Sequence, residues 1–340
     1  MTDPARRLSP VIRLAPAKLN LSLAIVGRRD DGYHSLHSVF VPLALADRLS
    51  LALAGGPDDT LHVTGFEPGP AADNLVVRAL RAARSAVGGG WSSGPGPAPA
   101  IAARLDKRIP VAAGLAGGSS DAAAALDGAL EVWGAELDPA TRLALAARLG
   151  SDVPFFLGDG PALVEGRGER VAPLSGLRGH PGVLLVTPAI AVSTPDVFAA
   201  FDAIRTHGDG SVRMSSTHIA EELRSGLGAA DLAARAGVLA VANDLMPAAA
   251  LVVPELVPFR RALNRLLGHP VGLSGSGPTL WALYASAGEA EAAADIVRAA
   301  LATGTLSAPG SAKPFVAATT IVTGQQRSQQ QQQQQHGSES

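Results

Sequence analysis

The sequence predicts a two-domain α+β protein, and three observations carry that prediction. The chain has 340 residues, 47% of them hydrophobic, which is enough to fill two ordinary cores. Its first half interleaves strand-like runs with helical spacing around a glycine-rich turn. Beyond about residue 170 the pattern starts again with a new strand, new helices and a second glycine-rich turn. The expected division is residues 1–170, residues 171–323, and a Gln-rich tail, residues 324–340, read as disordered from its seven consecutive glutamines at 329–335.

Val11 to Leu14 and Leu19 to Val26 read as strands. In the second, Leu19, Leu21, Leu23 and Ile25 alternate with smaller residues, which puts Lys18, Asn20 and Ser22 on the opposite face. Leu49–Leu53 and Leu61–Val63 are further strand candidates. Asn74 to Val87 has helical spacing, with Leu75, Ala79, Leu80 and Ala83 on one side. Gly88–Ala100 reads as a loop, Ile101–Leu105 as a strand, and about Ser119 to Trp133 as a helix with Leu126, Leu130 and Trp133 as its buried stripe. The next helix is punctuated by Asp138 as N-cap, Pro139 in its first turn and Gly150 after its end. In the second half, Val183–Val186 reads as a strand and Arg205–Thr217 as a polar loop. Helices are expected over Leu223–Val241, Pro254–Leu267 and Glu289–Leu301, with strands at Val271–Leu273 and Leu280–Tyr284.

Composition excludes several classes of function. The net charge of −2 offers no footprint for nucleic acid or an anionic membrane. With no cysteine there is no disulfide, thiolate nucleophile or Cys-based metal site. The start MTDPARRLSP has no apolar secretory core, and no apolar run reaches the roughly 18 residues of a membrane span. These features fit a cytoplasmic protein.

The strongest chemical signal is PVAAGLAGGSSDAA, Pro110 to Ala123, placed between a strand and a helix. Gly114, Gly117 and Gly118 carry no side chain, so backbone N–H groups can approach an anion closely. The free N–H groups and dipole of the following helix favour negative charge, and Ser119 and Ser120 add hydroxyls. No lysine precedes the serine pair, so this is not a Walker A loop. The glycines do not fall as G-x-G-x-x-G and no acidic residue closes a following strand, which excludes a dinucleotide fingerprint and a dehydrogenase. The plainer alternative is a loop that only turns the chain.

Pro110 with a small-residue run, Gly114-Leu115, then Gly117-Gly118-Ser119-Ser120, resembles the phosphate loop of GHMP kinases. APAKLNLSL (Ala15–Leu23) and LSGSGPTLWALY (Leu273–Tyr284) are similar to that superfamily's early and late signatures, in the right order. DDGYHSLHSVF (Asp30–Phe40) and RLGSDVPFFL (Arg148–Leu157) narrow the resemblance to the branch that phosphorylates 4-diphosphocytidyl-2-C-methyl-D-erythritol. DNLVVRA, DKRIP, STPDVF and NDL add shorter matches, and the resemblance covers roughly residues 11 to 323.

The resemblance implies a first domain with a left-handed β-α-β crossover, against the general rule, and a ferredoxin-like second domain. It implies transfer of the ATP γ-phosphate to the substrate 2-hydroxyl, in the non-mevalonate isoprenoid route, with ATP and Mg²⁺ as cofactors. Asp152 is then the catalytic base and Lys18 its partner; the plainer reading is a backbone cap and a structural ion pair. Tyr33 and Phe198 would sandwich the cytosine ring, His34 would bond its edge, Asn20 would contact the substrate beside Lys18, and Thr194 and Pro195 would line the cytidine pocket. ATP would be held by Pro110, Val111, Ala112, Ala113, Gly114, Leu115, Ala116, Gly117, Gly118, Ser119 and Ser120, with Asn74 and Lys107 at the adenosine end. Taken alone, Asn74 reads as an N-cap and Lys107 as a solvated charge. Ser274–Gly277 would pack over the phosphate end.

The loop departs from the family at Val111, Ala112, Ala113 and Ala116, where glycine is common, and a positive φ at Ala112 or Ala113 would strain it. No acidic residue stands out as a Mg²⁺ ligand, which leaves phosphates, water and Ser119 to hold the ion. The alternatives are a GHMP kinase for another small alcohol, such as homoserine or mevalonate, and a catalytically silent nucleotide-binding protein on the same fold. Oligomeric state is not legible.

Overall fold

A computed structural model describes residues 10–67, 74–88, 96–204 and 210–323. The Gln-rich tail, part of the Gly88–Ala100 loop and residues 205–209 of the expected polar loop lie outside the described residues.

The first half contains β1 (Val11–Arg28), β2 (His34–Leu53), β3 (Thr60–Gly65), α1 (Leu75–Val87), β4 (Ile101–Lys107), α2 (Gly117–Trp133), α3 (Pro139–Leu149), β5 (Ala162–Gly166) and β6 (Arg170–Pro173). One sheet runs β3-β4-β2-β5-β6, with β1 antiparallel to β2 along nearly its whole length. Both strand stretches expected in β1 belong to one strand, kept continuous by register shifts at Pro16/Lys18, Asn20/Ser22 and Ile25/Gly27. The other edge of β2 is shared: its end pairs with β4, and its start pairs with β5. β3 and β4 are parallel and joined through α1.

The second half contains β7 (Leu177–Arg178), β8 (Gly182–Thr187), α4 (Thr194–Ile204), α5 (Ser211–Ser225), β9 (Leu227–Gly228), α6 (Ala229–Ala234), α7 (Ala236–Leu239), α8 (Met246–Val252), α9 (Leu256–Leu267), β10 (Gly272–Leu273), β11 (Leu280–Tyr284), α10 (Ala287–Ala302) and β12 (Phe315–Thr320). Its four-stranded antiparallel sheet has the order β10-β11-β8-β12. The edge of that sheet meets the middle of β2, where Val322 N donates to Pro42 O and Leu45 N to Thr319 Oγ1.

Three apolar clusters hold these layers. Trp133, Leu80 and Leu105 belong to the core under α1 and α2. Leu19, Leu21, Val41, Leu223 and Trp281 form a second core between the two sheets. Val186, Phe259 and Val297 anchor the third, beneath α9 and α10. Leu19 and Leu21 of β1 enter the middle cluster, and on the opposite face Lys18, Asn20 and Ser22 are also buried.

Three sequence expectations need correction. Residues 211–217 are helical, because α5 buries Ser216, Ile219, Ala220 and Leu223 along one face and turns its polar residues outward. The helix expected over Leu223–Val241 is cut by Gly226, at φ +106°, into α5, β9, α6 and α7. Strands β5, β6 and β12, the stretch His34–Arg48 of β2 and helix α8 are not among the expected elements.

Candidate active site

The phosphate loop owes its shape to five positions. Ala112 (φ +54°), Gly114 (φ +75°) and Ala116 (φ +53°) are left-handed. α2 starts at Gly117, two residues earlier than its spacing suggested, and no side chain caps it. Its first N–H groups therefore point at whatever fills the cleft. A Cβ on Gly114 would stand 2.4 Å from Ser274 O, and one on Gly117 3.2 Å from Lys107 Nζ. Gly118 is open, with only Leu75 Cδ1 at 3.7 Å. The two alanines are the strained positions anticipated for this loop, although Ala116 and not Ala113 is the second of them.

The late glycine-rich turn grips the first loop directly. Gly114 O accepts from Ser274 Oγ at 2.9 Å and from Lys18 Nζ at 3.1 Å. Lys18 Nζ also donates to Asn20 Oδ1 at 2.7 Å, lies 4.8 Å from the centre of the Phe40 ring, and stands 3.8 Å from Asp152 Oδ2. Burial pushes the Lys18 ammonium below the ordinary lysine value of 10.5, and Asp152 opposes that shift. Asp152 sits just after α3, ahead of the buried turn Pro154–Leu157, with its side chain 29% exposed to the cleft.

Two clefts meet here. The first, of about 440 Å³, is lined by Lys18, Asn20, Asn74, Lys107, Asp152 and most of the phosphate loop, together with Gly275 and Ser276. The second, of about 590 Å³, is lined by Tyr33, His34, Thr194, Pro195 and Phe198 among others. Leu36, Ser119, Asp152, Thr194 and Phe198 line both.

Several expected residues behave differently from their sequence reading. The side chains of Leu115 and Ser120 turn away from the first cleft and are buried, Leu115 in the core between the sheets. Lys107 is not a solvated charge. It is 4% exposed and pairs with Asp47 and with Asp121 Oδ2, the latter at 2.7 Å. Asn74 does cap α1, accepting from Val76 N at 2.9 Å, and still reaches the cleft. Tyr33 and Phe198 do not face an empty slot: His34 stacks on Phe198 at 4.9 Å between ring centres, and the Arg167 guanidinium lies 4.7 Å from the Tyr33 ring centre.

Four residues of the site were not singled out from sequence. Asp47 accepts from Arg108 N and Ile109 N and shares Lys107 with Asp121. One ammonium thus serves two buried carboxylates: burial pushes the Asp121 carboxyl up to about 7, and although burial pulls the Lys107 ammonium down, Asp121 and Asp47 together outweigh it and leave Lys107 raised. Both shifts fit a cluster with one surplus negative charge. Asp202 accepts from His34 Nε2 at 2.7 Å. It lies one helical turn after Phe198, a spacing that could have revealed it. Arg167, between Gly166 and Gly168, carried only a turn signal.

A phosphate loop at an uncapped helix, gripped by a second glycine-rich turn and opening beside a Lys–Asp pair, defines a small-molecule kinase of the GHMP type. The family description "GHMP kinases N terminal domain" matches residues 74–160, and "GHMP kinases C terminal" matches residues 223–303. Among curated relatives, the 4-diphosphocytidyl-2-C-methyl-D-erythritol kinase of Nocardia farcinica is 41% identical over 89% of this chain and 94% of its own. That of Pelotomaculum thermopropionicum is 38% identical over 81% and 89%. A crystal structure of 4-(cytidine 5'-diphospho)-2C-methyl-D-erythritol kinase superposes with a TM-score of 0.65 at 34% identity, covering 91% of this chain and 99% of that one. Homoserine kinase from Cytophaga hutchinsonii shares the fold alone, with a TM-score of 0.64 at 17% identity. The chain belongs to the 4-diphosphocytidyl-2-C-methyl-D-erythritol kinase family of the GHMP kinases.

Proposed function

We propose that this chain transfers the γ-phosphoryl group of ATP to the 2-hydroxyl of 4-diphosphocytidyl-2-C-methyl-D-erythritol, a step of non-mevalonate isoprenoid precursor synthesis. The observation that carries this reading is the pair of clefts joined at Ser119 and Asp152. One is built for phosphates and the other for an aromatic base.

ATP lies in the first cleft with its phosphates against the N-terminus of α2, where Gly118 leaves room for close approach. Asn74 and Lys107 border its adenosine end. The cytidine enters the second cleft beside Tyr33, His34, Thr194, Pro195 and Phe198. With His34 already against Phe198, the base stacks on that pair's open side or on the free face of Tyr33.

Asp152 accepts the proton of the attacking hydroxyl. Lys18, fixed by Asn20 Oδ1 and Gly114 O, orients Asp152 and supplies positive charge beside the transferring group. Phosphoryl transfer depends chiefly on such positioning and charge stabilisation. Among the described residues no group of three His, Asp or Glu forms a metal cage. That donor set fits an ion carried mainly by the ATP phosphates, with the Ser119 hydroxyl, at the start of α2, bordering both clefts as Thr194 does. Mg²⁺ bound there would neutralise phosphate charge.

The two large sheets draw their strands from residues 11–173 and 182–320, which supports a division a few residues beyond the expected 170/171, after β6 and not through it. No helix among the described residues is long and apolar enough to cross a membrane. A small-molecule substrate, no nucleic-acid partner and a cytoplasmic location complete the proposal.

Asp152→Asn tests the mechanism. Turnover should fall at least about 1000-fold while ATP affinity stays near wild type. Equal loss of both would assign Asp152 to folding instead.

A further inference from the structure

Arg167 is the only Lys or Arg among the described residues lining the second cleft, whose other charged lining groups include the carboxylates of Asp152 and Asp202. A diphosphate diester brings two more negative charges. Lys18, at 3.8 Å from Asp152, and Arg28, at 3.5 Å from Asp202, offset those carboxylates but do not line the cleft, which leaves Arg167 as the cation facing the substrate proposed above.

The turn carrying Arg167 is built to hold it there. Gly166 (φ +70°) and Gly168 (φ +130°) both take left-handed conformations. A Cβ on Gly168 would stand 2.1 Å from Ser151 O, so the turn is pressed against the residue preceding Asp152. Arg167 N donates to Glu169 Oε2 at 2.6 Å, which closes the turn. Arg167 Nη2 donates to Ala147 O of α3 at 3.1 Å, and the guanidinium lies 4.7 Å from the Tyr33 ring centre.

That leaves donor capacity. Among the described residues, no carboxylate lies within ion-pair distance of the Arg167 guanidinium, and Nε and Nη1 have no protein acceptor. A planar guanidinium with free N–H groups matches phosphate oxygens in geometry and charge. Arg167 also stands where such a group is needed, because the diphosphate must span from the aromatic end of the cleft, at Tyr33 and His34, toward Asp152.

We infer that Arg167 binds the diphosphate linking the base to the alcohol, and so measures the phosphate content of the ligand. This rests on the substrate class proposed above. A purely structural Arg167 would serve only to prop Tyr33 and to tie the turn to α3.

Binding of cytidine, CMP and CDP separates the two roles, with calorimetric ATP affinity as the check on folding. In wild type, affinity should rise from cytidine to CDP. Arg167→Gln should weaken CDP about 10-fold while leaving cytidine and ATP within about twofold, and Arg167→Lys should retain part of the increment. Equal weakening of cytidine and CDP would assign Arg167 to propping Tyr33 and overturn the inference, as would unchanged CDP affinity. If Arg167→Gln also lost ATP binding, Arg167→Lys would decide: an unaltered cytidine-to-CDP increment overturns the inference and a reduced one supports it. Wild type that binds ATP but none of the three cytidine ligands would overturn the substrate class and, with it, this inference.

Discussion

Replacing Gly114 by alanine would place a methyl group where the two glycine-rich turns touch. The new Cβ would lie 2.4 Å from Ser274 O and 3.0 Å from Gly277 O, both rigid backbone atoms, at a residue whose φ is +75°. The left-handed conformation costs an alanine about 1–2 kcal/mol. Moving the turns apart by the several tenths of an ångström needed is overpacking, which costs about 1–3 kcal/mol. The stiffer unfolded chain returns about 0.4–1 kcal/mol. The net expectation is a loss of about 2–4 kcal/mol, read as a lower urea midpoint at unchanged slope. Function should suffer further, because Gly114 O holds both Lys18 Nζ and Ser274 Oγ. A displacement near 1 Å at that carbonyl should lower kcat by about 100-fold. Gly118→Ala is the control: its Cβ meets only Leu75 Cδ1 at 3.7 Å, so stability should hold within about 1 kcal/mol while the KM for ATP rises. A Gly114→Ala protein with wild-type midpoint and kcat would refute the reasoning that the turns lock one another.

Three further outcomes follow from the same geometry. Ala112 is exposed at φ +54°, so Ala112→Gly should raise the urea midpoint by up to about 1 kcal/mol equivalent, the left-handed penalty less the entropy of glycine. The Asp121 carboxyl, pushed up to about 7 from 3.8, stays protonated in the folded chain after the unfolded chain has released its proton. Its contribution to stability is therefore full below about pH 4 and is lost as pH rises through 7, and urea midpoints at pH 5 and 8 should differ less in Asp121→Asn than in wild type. Because burial lowers the Lys18 ammonium, the alkaline limb of kcat/KM should fall below the ordinary lysine value of 10.5 and vanish in Lys18→Met, whose residual rate should show no alkaline decline.

Much of the site was legible because its residues declare themselves locally. Asp138 and Pro139 mark the start of α3, Gly114 sits where backbone approaches backbone, Gly117 against the Ile109 and Lys107 side chains, and Gly118 at the open cleft. The pairing of Lys18 with Asp152 comes from the family resemblance, since the residues alone read as a cap and a structural ion pair, and the two stand 3.8 Å apart. What escaped was contact between distant segments. Lys107 looked solvated because its partners, Asp47 and Asp121, are on β2 and α2. Nothing near His34 in sequence announces Asp202, which approaches from the second domain. The continuity of β1 was hidden because its bulges break the period of two, and α5 was hidden because Ser216 occupies its buried face. Sequence periodicity records which face of an element is wet, and from Ala15 to Ala24 β1 has no wet face.

The most direct test of the whole account is a coupled ADP-release assay with Mg-ATP, comparing 4-diphosphocytidyl-2-C-methyl-D-erythritol, mevalonate and homoserine as acceptors. Turnover confined to the cytidyl substrate is predicted. Turnover on mevalonate or homoserine, with none on the cytidyl substrate, would contradict it.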